Sequence, residues 1–406
     1  MQTIGQKPVS VAMFTNLFYP VVSGSSTQSA SLSCELARLG HRPFVVTARI
    51  EKSSPAYEEI DGVPIYRIPA VRLPRLSISM NFPWLSYTFT PANLRRIEKI
   101  FRRHRPEIIH LHNHMFDLSF PAVLMRRKSN IPLVITIHTM IRHTRALYNL
   151  LLYPADRVFL RKMVVKRAQM LICPDINIEK YVREAFPENR RALVPYGIPI
   201  PGEPEDRVLQ ELRDRYQLNG KRVILSLGHV IELRDRRELI SALPALRKTI
   251  PNVVVLIVGA ESTDKPRRLA KQLGVEDAVI FAGPVAHHQV KNYLALADLE
   301  MHLFYQDAPE NMSLGIASLE AMAAGKVILA WANKNTYGRG ILRDGSNIVF
   351  VDPNEPAQLA QTIIDLLLDH QKRRQVGERA SRTIQNHFSW ESVCSKTLKV
   401  YKEVLQ

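Results

Sequence analysis

The stretch "RVILSLGHVIELRDRRELISALPALRKTIPNVVVLIVGA" (222–260) decides the fold. It opens on an apolar run, "RVILSLG" (222–228), and closes on another, "NVVVLIVG" (252–259). Both are rich in β-branched residues and too short for helices of a buried core. Between them "RELISALPALRKT" (237–249) has helical spacing. Two continuous apolar strands joined by a helix must run parallel, because a crossover of this length returns the chain to the same end of the sheet. Working outward, "AVIFAG" (278–283) and "KVILAW" (326–331) add strands of the same kind. An earlier series, "VSVAMF" (9–14), "PFVVTA" (43–48), "IIHLH" (108–112) and "LVITIH" (133–138), alternates with helical segments such as "TQSASLSCELARLGH" (27–41). The two series are separated by the polar, proline-rich "PIPGEPEDR" (199–207). The sequence is therefore α/β, with two doubly wound domains, 1–200 and 201–387, and a linker near 200–206. A ligand is expected in the cleft between them, at the carboxyl ends of the strands.

The composition bounds the function. A chain of 406 residues suits two cores, and 46% apolar content excludes a disordered protein. No stretch supplies the roughly 20 apolar residues of a membrane-spanning helix, and the start, "MQTIGQKPVSVAMF", reads as soluble and unsecreted. Cys34, Cys173 and Cys394 lie far apart, which suits a reducing, cytoplasmic compartment and neither a zinc site nor a disulfide framework. The net charge of +17 points to polyanionic partners: nucleic acid, phosphorylated ligands or an anionic membrane surface. Much of it sits in "NLRRIEKIFRRHRP" (93–106), "LMRRK" (124–128) and "FLRKMVVKR" (159–167). Each run is equally readable as a solvated helix face.

The strand-to-helix junctions hold the candidate site residues, since free backbone N–H groups there bind anions. In "FYPVVSGSSTQS" (18–29) Gly24 either lets a diphosphate approach closely or serves a plain turn. His110, His112 and His114 alternate in "IIHLHNHMFD" (108–117), and an extended strand would put all three on one side. Such a cluster could bind a metal as in metal-dependent hydrolases, but no second group of ligands accompanies it, and no metal is expected. His138 ends an apolar run and is expected at the cleft edge, or as a satisfied buried histidine. After Gly228 come His229, Arg234, Arg236 and Arg237, cations that would face the cleft and neutralise a diphosphate. In "NMSLGIASLEAMAAGK" (311–326) a lone carboxylate, Glu320, stands in an apolar helix and could accept hydrogen bonds from a vicinal diol.

Taken in order, these segments resemble the retaining glycosyltransferases of family 4. The resemblance rests on P-x-x-S-G near the start, "IIHLHNH", "PLVITIHT", "PYGIPI" (195–200), "LSLGHVIELR", "VVVLIVGA", "VIFAGPV" (279–285), "SLEAMAAGKVILA", "LRDGSNIVFVDP" (342–353) and the closing "FSWESV" (388–393). It implies the GT-B architecture: two Rossmann-like domains with an interdomain cleft, the first completed by a C-terminal helix at about 388–406. The implied reaction moves a hexose from a nucleoside diphosphate sugar, such as UDP-glucose or GDP-mannose, to an acceptor hydroxyl with retention. No cofactor is implied, because the nucleotide sugar is a substrate, and no metal or nucleic acid is expected.

By the same resemblance Glu320 holds the ribose hydroxyls, Gly24 and Gly283 belong to the donor site, and His138 orients the donor sugar. Similar enzymes carry an arginine just after the glycine and a lysine five residues later; here these are His229 and Arg234. A second departure lies eight positions before Glu320, where the usual glutamate is replaced by Met312, and Glu310 is the substitute carboxylate. Many similar enzymes use lipid acceptors, and aromatic "NFPWLSYTF" (81–89) and amphipathic "YNLLLYPADRVFLRKMVVKR" (148–167) suit the inner face of an anionic membrane. The alternative is that their apolar residues face the core. A GT-B phosphorylase and a non-catalytic anion- or lipid-binding protein are the rival readings.

Overall fold

The computed structural model describes residues 7–21, 23–72, 86–143, 145–232, 234–301, 303 and 312–406. It divides into two compact units: Met1–Gly197 with Trp390–Gln406, and Ile198–Ser389.

Unit 1 contains β1 (Ser10–Thr15), β2 (Arg42–Arg49), β3 (Tyr57–Ile60), β4 (Val63–Pro69), β5 (Val71–Arg72), β6 (Ser86–Tyr87), β7 (Ile108–His112), β8 (Leu133–Thr136), β9 (Met170–Cys173) and β10 (Arg191–Leu193). Its main sheet has the order β10-β9-β8-β7-β1-β2-β4-β3, and only β3 is antiparallel to its neighbour. The helices are α1 (Gly24–Arg38), α2 (Pro91–His104), α3 (Ser119–Ser129), α4 (Ala146–Pro154), α5 (Arg161–Met163) and α6 (Ile176–Ala185). Every residue of β1 is buried. Ala12 and Phe14 enter one apolar cluster, Val11 and Met13 the other. The period of two thus sends alternate side chains to opposite faces, and helices must cover both.

The described strands of the unit 2 sheet all pair in parallel. Its strands are β11 (Arg222–Leu227), β12 (Val253–Val258), β13 (Val279–Gly283), β14 (Leu299–Met301), β15 (Val327–Ala330) and β16 (Val349–Phe350), in the order β13-β12-β11-β14-β15-β16. Along β12, Val254, Leu256 and Val258 enter one core, and Val253, Val255 and Ile257 the other. The helices are α7 (Asp206–Arg215), α8 (Arg237–Thr249), α9 (Lys265–Gln272), α10 (Val290–Leu296), α11 (Ile316–Ala323), α12 (Pro356–Leu368) and α13 (His370–His387).

The final helix, α14 (Trp390–Leu405), leaves unit 2 and joins unit 1. Val393, Cys394, Val400 and Tyr401 pack in the same cluster as Val11 and Met13. The Trp390 ring lies against Gly197, where any β-carbon would come within 2.4 Å of it. Glycine at 197 is therefore a packing requirement.

A second close approach joins Gly377 of α13 to Gly325, where a β-carbon at 377 would lie only 2.0 Å from the Gly325 carbonyl oxygen. Gly377→Ala should destabilise the protein by about 1–3 kcal/mol through overpacking, although alanine favours an isolated helix. Urea unfolding checks this, and a more stable variant would show that the two backbones have room to spare.

Candidate functional site

The end of β7 resolves the three histidines into two groups. Asn113 adopts a left-handed conformation with φ of 69°, which breaks the alternation after His112. His110 and His112 remain on one side, their rings stacked at 4.5 Å. His114 turns away and is hydrogen-bonded through Nε2 to Asp156 Oδ1 at 2.8 Å. Tyr181 donates to the other oxygen of Asp156 at 2.5 Å. The expectation of three histidines on one side is thus corrected, and the cause is one residue of left-handed backbone. Among the described residues no group of three or more His, Cys, Asp or Glu is placed to hold a metal ion.

His110 and His112 belong to a column of rings. His110 is hydrogen-bonded to the Tyr401 hydroxyl and to Thr136 Oγ1, each at 2.7 Å. His112 Nδ1 lies 2.9 Å from His138 Nε2, and His138 Nδ1 lies 3.0 Å from the Tyr196 hydroxyl. The His138 ring stacks on His112 at 5.2 Å and on Tyr196 at 5.5 Å. Its backbone N–H donates to Asn113 Oδ1 at 3.0 Å. Because each ring nitrogen of His138 has a ring partner, choosing the proton on one fixes the proton on the other. His112 Nε2 is buried with no protein partner.

Burial holds these imidazoles neutral. It lowers His138 to about 3 and, with the nearby His138, lowers His110 to about 3. His112 is pushed well below its ordinary value, first by burial and then by its two neighbours. Tyr196 and Tyr401, which the sequence reading did not single out, cap the column. Tyr196 lies in the quoted "PYGIPI", but its partner sits 58 residues away, beyond any local pattern.

Gly24 is the first residue of α1 and lies within a capping box made by Ser23 and Ser26. No atom lies within 4 Å of where its β-carbon would be. Internal packing therefore does not require glycine at this position.

In unit 2 the cations after Gly228 separate. Arg236 is buried and spends its fork inside the loop: Nε donates to Ser226 Oγ at 2.9 Å, Nη2 to the Gly228 carbonyl at 2.7 Å and Nη1 to the His229 carbonyl at 3.1 Å. Burial and the adjacent Arg234 lower it to about 10. Arg237 is paired with the buried Asp235 at 2.6 Å. The expectation that all four basic residues face a ligand is corrected: the loop needs Arg236 to tie its own carbonyls, and Asp235 claims Arg237. His229 remains exposed, and Arg234 is half-buried with its pKa lowered by burial.

Gly283 ends β13 in a left-handed conformation with φ of 75°, which its lack of a side chain permits. Glu320 lies on α11, whose Leu319, Ala321, Met322 and Ala323 are buried. Its carboxylate stays at the core's edge and is hydrogen-bonded to His287 Nε2 at 2.8 Å. His287 is another residue the sequence reading passed over; the only signal was the histidine pair 287–288 shortly after Gly283. Met312 packs on the apolar core of unit 2, and its carbonyl accepts from the Asn333 N–H at 2.9 Å. Glu310 lies outside the described residues.

Two α/β units with wholly or largely parallel sheets give the chain the GT-B fold. Residues 22–200 match the model of Glycosyltransferase Family 4 and residues 209–383 that of Glycosyl transferases group 1. The chain belongs to glycosyltransferase family 4. It is 24% identical over 332 residues to an alpha-monoglucosyldiacylglycerol synthase of Streptococcus pneumoniae, covering 80% of this chain and 71% of that one. It is 26% identical over 405 residues to a D-inositol 3-phosphate glycosyltransferase of Xylanimonas cellulosilytica, covering 94% and 91%. The crystal structure of HepE from Anabaena in complex with UDP superimposes with a TM-score of 0.69 at 15% identity, covering 97% of this chain and 100% of that one.

The neutral histidines make stability depend on pH in one direction. Unfolded histidine titrates near 6.5, so between that pH and about 3 the unfolded chain binds protons that the folded column refuses. Stability should be full above roughly pH 6.5 and fall as pH drops through this window. Urea midpoints at neutral and mildly acidic pH check it, and His112→Gln should flatten the slope. An unchanged slope would mean that His112 titrates normally in the folded protein.

Proposed function

We propose that the protein transfers a hexose from a nucleoside diphosphate sugar to a hydroxyl of a lipid acceptor at an anionic membrane surface, with retention at the anomeric carbon. The observation that carries the donor reading is Glu320: the lone charge on a mostly apolar helix, held at the core's edge and engaged at one oxygen by His287 among its described hydrogen bonds. Such a group suits the paired hydroxyls of a ribose, which offer two donors to one carboxylate. The UDP bound by HepE supports this class of donor. The diacylglycerol product named for the Streptococcus relative supports a lipid acceptor.

In this reading the bond between the anomeric carbon and the diphosphate oxygen breaks, and the acceptor oxygen bonds on the same face. The acceptor proton passes to the leaving phosphate oxygen, so no separate protein base is assigned. Arg234 meets the growing diphosphate charge, with His229 as its weaker companion, and Gly24 and Gly283 admit the ligand to the backbone. His138, held neutral by burial and oriented by His112 and Tyr196, is a hydrogen-bonding guide for the sugar and not a cation. Glu310 is assigned to the donor sugar in place of the carboxylate that Met312 lacks. Diphosphate neutralisation is assigned to side-chain cations, and turnover in excess chelator tests that assignment.

Glu320→Ala should weaken binding of the donor by about 1–3 kcal/mol, the cost of losing a charged acceptor. Calorimetry with UDP and GDP sugars reads it, and unchanged affinity in a folded variant would remove Glu320 from the site. Arg234→Ala should lower kcat by about 100-fold or more with a smaller effect on KM, because its charge matters most as the diphosphate leaves. Equal proportional losses of activity and unfolding temperature would instead make Arg234 a structural residue.

A further inference from the structure

The apolar surface of the protein is unevenly distributed. Eight of the sixteen large hydrophobic residues left exposed among the described residues fall between Met140 and Met163. Leu147 and Leu150 are each 73% exposed, Val158 65%, Leu151 64% and Phe159 52%. No residue of α4 is buried. A helix with leucines pointing at water and none in a core lacks the packing that normally holds a helix in place.

The segment is nonetheless fixed at its base. After α4 the chain continues through a wide helical turn, Ala155–Leu160, into α5. Asp156 is 1% exposed and tied to His114 and Tyr181, while Leu160, Val164 and Val165 enter the core of unit 1. At its start the Asn149 side chain brackets His143, accepting from its N–H at 2.7 Å and donating to its carbonyl at 2.9 Å. The exposed leucines therefore stand on a built support.

The charge around them has one sign. Between 142 and 167 there are seven Arg and Lys residues and a single acid, Asp156, whose carboxylate is turned inward. Glu188, from outside the segment, pairs with Arg161 at 2.6 Å and Lys166 at 3.4 Å. Arg142, Arg145, Arg157, Lys162 and Arg167 are exposed beside the apolar side chains.

We propose that the segment from Arg145 to Met163 is a docking ridge that inserts Leu147, Leu150, Leu151, Val158 and Phe159 into the interface of a bilayer containing anionic lipid. Apolar side chains enter the acyl boundary while the flanking cations meet lipid phosphates. A second copy of the chain is a poorer occupant, because a two-fold contact through this ridge would bring like charges together. A nucleic acid would satisfy the cations and leave the leucines in water. The basic helix α2 does not share this role: Ile97, Ile100 and Phe101 are buried, so its cations form the solvated face of a packed helix. The use of the ridge rests on the lipid-acceptor reading, since docking there would bring the acceptor hydroxyl to unit 1.

The test is co-sedimentation of the full-length protein with vesicles of phosphatidylcholine alone and of phosphatidylcholine with phosphatidylglycerol. Wild type should bind the anionic vesicles and be released by salt. Leu147→Ser with Leu150→Ser and Val158→Ser should weaken binding about tenfold or more at unchanged unfolding temperature. Arg145→Gln, Arg157→Gln and Lys162→Gln should weaken it by roughly fivefold per cation touching the surface. Arg102→Gln with Arg103→Gln should bind as wild type. Ridge variants that bind like wild type, a wild type that ignores anionic vesicles, or a ridge-dependent dimer in sedimentation velocity would each overturn the proposal. Hydrolysis of the nucleotide sugar, measured without vesicles, keeps the transferase reading separate: it should survive the serine substitutions. Vesicle binding with transfer only to a water-soluble acceptor would overturn the lipid-acceptor reading and leave the docking ridge standing.

Discussion

A parallel sheet built from uninterrupted apolar strands cannot show either face to water. In β1 and β12 every residue is buried, and neighbours along each strand belong to different cores. Helices must then cover both sides, and polar chemistry is confined to the strand ends and the helix starts that follow them. Gly24, His112, His138, His229 and Gly283 all occupy such positions. Glu320 is the counterpart on a helix, a carboxylate allowed because one side of α11 lies outside the core.

This constraint also explains what was legible in the sequence. The parallel strands could be read because continuous β-branched runs have few other uses, and "RVILSLG" and "NVVVLIVG" correspond to β11 and β12. Contacts made across long separations could not. The His110–Tyr401 hydrogen bond joins residues 291 apart, and nothing local to either announces it. The fate of the basic loop was hidden for another reason: Arg234, Arg236 and Arg237 are alike in the sequence, but left-handed backbone at Arg236 turns its guanidinium into the loop's own carbonyls. One left-handed residue, Asn113, likewise divided a histidine triplet that alternation alone would keep together.

The same distinction separates the two basic regions of unit 1. In α2 the apolar residues recur at core positions, so the cations are what an amphipathic surface helix leaves outside. In α4 the leucines have no core to enter, because Asp156, Leu160 and Val164 occupy the inward positions of the segment that follows. Composition cannot tell these cases apart; burial can.

In the proposed reaction the sugar leaves a nucleoside diphosphate and arrives on the acceptor with its configuration kept. Proton NMR of the anomeric centre, recorded on the product formed from a UDP or GDP sugar with lipid vesicles, addresses it most directly. The expected spectrum shows a product anomeric proton with the configuration of the donor, accompanied by release of the nucleoside diphosphate. An inverted centre, or release of no nucleoside diphosphate from any of the sugars offered, would contradict it.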